Sequence, residues 1–167
     1  MGVRWIVAVV VSLLVVGCVS RPEPAPASMS TAAPPWSAPR DAISHIREAG
    51  LPELPLDSES DPFILRLVVT VDGDDVALPP FIGIDRLRAV QAPVHTHESG
   101  GDVWLEGEGN QTVTLGQFFT LWGVRFDDDC LGNACAGLRV VADGRTVDAP
   151  ATLVLRGHDL IEVHAET

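Results

Sequence analysis

The stretch PVHTHESGGDVWLEGEGNQTVTLGQFFTLWGVRF, residues 93–126, decides the fold of this chain. Its first half alternates between apolar and polar residues over 94–97 and again over 103–106, which is typical of strands with one buried face. Ser99-Gly100-Gly101 separates the two runs and supplies the residues of a turn. The first half therefore predicts two strands.

The second half of the same stretch has helical instead of strand periodicity. Four large apolar residues fall on one helical face: Leu115, Phe118, Phe119 and Trp122. Thr114 precedes them and can cap the first turn through its hydroxyl group. We expect one main helix here, directly after the strands.

The residues on both sides of this stretch add further strands and one short helix. The helix is predicted over 41–50, a loop over 51–62 and one helical turn over 85–90. Strands are predicted at 63–71, 76–78, 138–142, 145–147, 153–155 and 160–164, with Asp-Gly turns at 72–73 and 143–144. This order predicts an α+β fold with a mostly antiparallel sheet, and its C-terminal part resembles a β-grasp domain.

The composition limits the range of functions. The 167 residues carry a net charge of −12, and every basic residue is Arg. A phosphate-binding surface requires clustered positive charge, so nucleic acid is not an expected partner. The same charge argues against electrostatic docking on an anionic bilayer.

The N-terminus has the features of a targeting segment. Arg4 is followed by an apolar run over 5–16, which fits a signal-peptide core and is too short to span a bilayer. The run ends in Val15-Val16-Gly17-Cys18, which resembles the signal of bacterial lipoproteins. That resemblance implies cleavage before Cys18 and acylation of Cys18. We therefore expect a signal peptide over 1–17 and a protein anchored by lipid on the extracytoplasmic face of the cell membrane.

A proline-rich segment follows the predicted anchor. Six of the thirteen prolines lie within residues 19–40, between Ala and Ser. Such a composition is typical of a semi-rigid extended tether that would hold a domain some tens of ångströms from the membrane. The predicted boundaries are therefore a tether over 18–40 and a single domain over 41–167.

Cys130 and Cys135 are the only closely spaced cysteines. In an extracytoplasmic compartment such a pair favours a structural disulfide, whose short loop contributes about 2 kcal/mol. A redox pair prefers two intervening residues instead of four, and a metal site needs more soft ligands nearby. Two free thiols are the remaining alternative.

His95 and His97 are the closest pair of histidines. On a strand both would point to the same face, which is how two imidazoles reach one transition-metal ion. The residues that could complete such a site are Glu98, Asp102, Glu106, His45, His158 and His164. The alternative is that both histidines form hydrogen bonds with the backbone and with nearby acids.

The His-x-His spacing resembles the metal motif of cupins, with Asp102 and Gly109 at the offsets of that motif. Ala89 stands where cupins have Gly, and their second motif is absent. This resemblance implies an all-β barrel as the alternative fold and a metalloenzyme as the alternative function.

A wider resemblance covers residues 45–163. The segments HIREAGLPEL, VDGDDVALPPFIGID, PVHTHESGGDVWLEG and TLGQFFTLWGVRF, together with the paired cysteines, resemble an uncharacterised family of mostly actinobacterial extracytoplasmic domains. A His-x-His-x-His strand in that family corresponds here to Pro62, Ile64 and Arg66. The resemblance supports the fold and the compartment and implies no activity.

No catalytic residues are predicted, because the sequence has no nucleophile elbow, phosphate-binding glycine loop or zinc helix. The first hypothesis is a lipoprotein whose non-catalytic domain binds an envelope protein or a small ligand, without a cofactor. The second is a metal-binding or metal-delivery lipoprotein that uses His95 and His97. The third is a cupin-type metalloenzyme.

Overall fold

The structure, a computed structural model, describes residues 25–57 and 61–167. The predicted signal peptide and the predicted lipidation site, Cys18, lie outside the described residues. Within the described part, no helix is both long enough and apolar enough to cross a membrane.

Helices and strands alternate irregularly along the described part of the chain. The helices are α1 (Ala42–Glu48) and α2 (Leu115–Trp122). The strands are β1 (Leu54–Pro55), β2 (Phe63–Val71), β3 (Asp74–Asp75), β4 (Ile84–Asp85), β5 (Val90–Gln91), β6 (Val94–His95), β7 (Asp102–Leu105), β8 (Ala136–Ala142), β9 (Arg145–Thr146) and β10 (Leu160–Glu166). Short 3-10 helices lie at Asn110–Thr112 and Pro150–Thr152.

The larger sheet is built around a parallel pair, β2 and β10, with Arg66 opposite Leu160 and Val71 opposite Ala165. Strand β7 pairs antiparallel with the free edge of β2, and β8 pairs antiparallel with β10. The order is β6-β7-β2-β10-β8-β9, with β3 also on β2. The first and last long strands are thus central and parallel, and α2 connects β7 to β8 in sequence. This is a β-grasp-like arrangement, and the predicted α+β fold with mostly antiparallel pairing is confirmed.

The alternative cupin-like barrel is wrong. The described strands form two open sheets, because the larger one ends at β6 and at β9 and these edges do not pair with each other. The smaller sheet has the order β1-β5-β4.

Helix α2 forms for local reasons that the sequence shows. The Thr114 hydroxyl accepts a hydrogen bond from the backbone N–H of Gln117, and the Gln117 side chain accepts one from the Thr114 N–H. This capping box satisfies two donors that a helix start leaves free. Gly123, with φ of 70°, ends the helix in the left-handed conformation. Phe118, Phe119 and Trp122 are buried in the same core as β2 and β10.

The N-terminal segment, residues 25–40, packs on the domain instead of standing free of it. The Trp36 side chain is 6 % exposed, and the Trp122 indole N–H donates to the Trp36 carbonyl at 3.2 Å. The Ser30 N–H donates to the Gly123 carbonyl at 2.7 Å. The predicted boundary at Asp41 is therefore wrong, because one tryptophan among the prolines buries enough apolar surface to hold the segment.

Three local predictions also need correction. Residues 85–90, predicted as a helical turn, form an antiparallel hairpin in which Asp85 of β4 pairs with Val90 of β5. The predicted loop over 51–62 contains β1, and the predicted strand over 153–155 has only an isolated bridge between Val154 and Thr114.

Cys130 and Cys135 form the predicted disulfide. The Asp127 carboxylate accepts a hydrogen bond from the Cys130 N–H at 2.8 Å and one from the Asp129 N–H at 3.0 Å. Of the three acidic residues that precede Cys130, Asp127 therefore fixes the backbone at the start of the disulfide loop.

Candidate metal centre

The predicted histidine pair lies on the hairpin formed by β6 and β7. His95 pairs with Trp104, and Val94 pairs with Leu105. Side chains alternate between the two faces of a sheet, so Val94 and Leu105 enter the core while His95 and Trp104 point to the other face. The Glu106 N–H donates to the Pro93 carbonyl at 3.0 Å, which continues the pairing and brings Glu106 diagonally next to His95.

Three potential metal ligands converge at this hairpin. The His95 Nε2 atom lies 3.2 Å from His97 Nε2 and 3.2 Å from Glu106 Oε1. One ligand atom from each of the three residues lies within 4.8 Å of both others. In tetrahedral or octahedral sites with bonds of about 2.0–2.1 Å, neighbouring ligand atoms lie about 2.8–3.4 Å apart. Both distances from His95 fall in that range.

The orientation of the His95 ring is fixed by its second nitrogen. His95 Nδ1 lies 2.9 Å from the Ala92 carbonyl oxygen, which can only accept a hydrogen bond. The hydrogen of the neutral ring is therefore on Nδ1, and Nε2 presents its lone pair to the cluster. Metal-binding histidines are held in this way by a backbone carbonyl.

Burial favours this neutral form. The His95 side chain is fully buried, and burial lowers its pKa below the ordinary value. The neighbouring His97 also lowers the pKa, while the Ala92 carbonyl and the Glu106 carboxylate, which can accept hydrogen bonds from the protonated ring, oppose the shift without reversing it. A neutral Nε2 lone pair then faces the Glu106 carboxylate oxygen. A cation bound between these two acceptors would turn their repulsion into attraction.

Neighbouring side chains contact the two other ligands, Glu106 and His97. Gln91, which is buried on β5, donates its side-chain N–H to Glu106 Oε1 at 3.2 Å. The His97 ring lies edge-on between His95 and Trp104, with centroid distances of 4.8 and 4.9 Å. His97 is exposed while His95 is buried, so a bound ion would be accessible from the His97 side.

No known protein family, curated protein or solved structure matches this chain. The resemblance to bacterial lipoproteins and to the actinobacterial extracytoplasmic family therefore stays a prediction. What the site can bind is therefore indicated only by the positions of its own side chains.

The remaining histidines have other partners. His45 Nδ1 lies 3.0 Å from the Asp41 carbonyl, His158 Nδ1 lies 2.7 Å from an Asp143 carboxylate oxygen, and His164 Nδ1 lies 2.6 Å from the Thr70 hydroxyl. Asp102, another candidate ligand, forms an ion pair with Arg66. Of the six residues considered as completing ligands, Glu106 is the one that joins His95 and His97 in the described structure.

Proposed function

We propose that this protein is a lipid-anchored protein of the cell envelope whose domain binds a divalent transition-metal ion through His95, His97 and Glu106. The convergence of the three side chains on His95 Nε2, at 3.2 Å from each neighbour, carries the metal-binding part of the proposal. The metal ion would be the ligand of the binding domain that the sequence predicts.

The ligand set limits the class of metal. Two imidazole nitrogens and one carboxylate oxygen suit Zn²⁺, Fe²⁺, Ni²⁺ and Cu²⁺, whereas Ca²⁺ and Mg²⁺ prefer oxygen ligands only. For a site of this kind, affinity rises from Fe²⁺ through Ni²⁺ to Cu²⁺ and falls again at Zn²⁺. Three protein ligands leave at least one coordination position for water or for a group of a partner.

The exposure of two of the three ligands favours binding and delivery over catalysis. His97 is exposed and Glu106 is partly buried, so two of the ligands can exchange with solvent or with a partner protein. The cupin-type metalloenzyme is not proposed, because the barrel on which that resemblance depends is absent from the described residues.

The anchoring part of the proposal is supported by the sequence alone, through the apolar run over 5–16 and Cys18. Labelled palmitate is expected to enter the wild-type protein and to be absent from a Cys18→Ser variant. Equal labelling of both proteins would contradict the anchor.

Metal binding is tested by titration of the purified full-length protein, in detergent and stripped of metal, with Cu²⁺, Ni²⁺ and Zn²⁺. Calorimetry is expected to show one equivalent bound, with Cu²⁺ the tightest. Copper should also quench Trp104, whose indole ring lies 4.9 Å from the His97 ring.

Variants identify the ligands. His97→Ala and Glu106→Gln are expected to lose the single tight equivalent, and His164→Ala is the control for a histidine outside the cluster. His95→Ala is less informative alone, since this side chain is fully buried and its loss affects folding. One equivalent bound equally by the wild type, His97→Ala and Glu106→Gln would refute the proposed site.

A further inference from the structure

The turn between β4 and β5 carries the most exposed large apolar side chain in the described part of the chain. Leu87 is 88 % exposed, twice the value of Ile64 at 44 %. Its neighbours in sequence, Arg86 and Arg88, are both basic. A single exposed leucine between two arginines can meet both the apolar and the anionic layers of a lipid surface.

Arg86 and Arg40 place positive charge on the two sides of a cavity of about 290 Å³. Residues 38–40 form one wall, and Phe81 and residues 84–87, which include Asp85, form the other. The Arg86 guanidinium lies over the Phe81 ring at 4.8 Å from its centroid, which fixes the guanidinium at the rim. Arg88 differs, because it forms a 2.8 Å ion pair with buried Asp85. Neither Arg40 nor Arg86 forms an ion pair with another described residue.

The chain enters the described structure next to this surface. The Ser44 hydroxyl on α1 forms a hydrogen bond with the Ala25 carbonyl and lies 2.6 Å from the Asp41 carboxylate. Asp41 directly follows Arg40. Ala25 lies seven positions after Cys18, and at most about 3.5 Å per step keeps Ala25 within about 25 Å of the lipidated residue.

We propose that Arg40, Arg86 and Leu87 form a membrane-docking surface that binds the anionic headgroups of the bilayer in which the protein is anchored. Leu87 enters the interface, and the two arginines contact lipid phosphates around the cavity. This inference rests on the proposed anchoring at Cys18 and is independent of the metal centre.

The net charge of −12 opposes recruitment of the whole domain to an anionic surface, as the sequence predicts. The anchor removes this obstacle, because a tethered domain meets the bilayer at an effective concentration in the millimolar range. Charges beyond about 8–10 Å are largely screened at physiological salt. The local arginines therefore decide which face of the domain contacts the lipid.

The test uses the full-length acylated protein in vesicles of phosphatidylcholine alone or mixed with phosphatidylglycerol. An environment-sensitive fluorophore is attached to Leu87→Cys, and the matched control is Ile64→Cys on the solvent face of β2. The label at 87 is expected to shift to the blue and to be shielded from an aqueous quencher only in the mixed vesicles. The label at 64 should not change.

Substitutions of the arginines test the headgroup contacts. Arg40→Gln and Arg86→Gln are each expected to lower the ratio of docked to undocked protein about fivefold. Arg145→Gln, on edge strand β9, is the charge-matched control and should have no effect.

Vesicle flotation separates the two proposals. If the protein floats with the mixed vesicles while the label at 87 is as accessible to the aqueous quencher as the label at 64, docking is overturned and anchoring stays intact. Protein that does not float overturns both. Shielding of the label that depends on protein concentration instead of phosphatidylglycerol would identify a second copy as the partner and overturn lipid docking.

Discussion

His95 connects the core of the domain to its candidate ligand. Its Nδ1 atom forms a hydrogen bond with a backbone carbonyl, and its Nε2 atom faces His97 and Glu106. The spacing of His95 and His97 predicted that both lie on one face, because a strand has a period of two. Glu106 could not be chosen from six candidates, since the register that places it next to His95 is a contact between strands.

Gln91 provides a test of the centre that leaves all three ligands in place. Its side-chain N–H orients Glu106 Oε1, so Gln91→Leu is expected to lower metal affinity about 10- to 100-fold. Calorimetry of the variant with Cu²⁺ measures the change. Gln111→Leu, which removes a glutamine that bonds to Asn110 instead, is the matched control. Unchanged affinity in Gln91→Leu would show that Glu106 is not positioned by this bond.

Asp143 is expected to make the stability of the domain dependent on pH. The hydrogen bond with the His158 side chain, followed by those from the N–H groups of Leu160 and Asp159, lowers the Asp143 pKa below its ordinary 3.8. A carboxyl group with a lowered folded-state pKa stabilises the fold above its unfolded pKa. That contribution is lost as the pH falls from 3.8 through the folded-state pKa.

Asp143→Asn removes the charge and keeps a side chain that tolerates the positive φ of 47° at this position. The variant is expected to be less stable than the wild type at pH 7, with the difference closing below pH 3.8. Urea midpoints across that range measure it. Asp74→Asn, whose carboxylate forms no hydrogen bond to another described residue, is the control, and parallel pH profiles for Asp143→Asn and the wild type would contradict the prediction.

At the scale of elements, the correct predictions are those of elements whose determining contacts lie close together in the chain. Helix α2 was predicted closely, because Thr114 directly precedes it and Gln117 and the apolar face lie within it. The three strands of the smaller sheet have two residues each and no period to detect, so they were missed. The N-terminal segment was misjudged from its prolines, since its attachment depends on Trp36 meeting Trp122 far along the chain.

The attachment of the N-terminal segment can be measured. Trp36 is 6 % exposed and lies 5.6 Å from Trp122 between ring centroids. Trp36→Ala is expected to cost about 3–5 kcal/mol of unfolding free energy, because it removes a buried aromatic residue and leaves a cavity. Leu87→Ala, at an exposed position, should change stability little. A loss below about 0.5 kcal/mol for Trp36→Ala would show that the segment is not part of the folded unit.

At the scale of the molecule, the α+β class followed from the order of predicted elements, whereas the parallel pairing of β2 with β10 could not be read from periodicity. Leu65 and Leu67 in β2 share the core with Ile161 and Val163 in β10. Paired residues such as Thr70 and His164 are 94 positions apart. Because these residues meet only in the folded domain, no local pattern in the sequence indicates that their strands pair.

The dependence of the sheet on β10 predicts the effect of truncation. A chain that stops after Gly157 lacks β10, which leaves β2 and β8 without their shared neighbour. We expect this chain to show no cooperative unfolding transition by circular dichroism and no tight metal equivalent. A chain that stops after Glu166 loses only Thr167, whose contacts with Asp72 are exposed, and should fold normally. Cooperative unfolding of the shorter chain would show that the sheet forms without its last strand.

The position of β10 also sets the order of events during synthesis. A ribosome completes β2 about ninety residues before the strand that pairs with it in parallel. The central pair of the sheet therefore cannot form until the nascent polypeptide is almost finished, and β2 waits for its partner through most of translation.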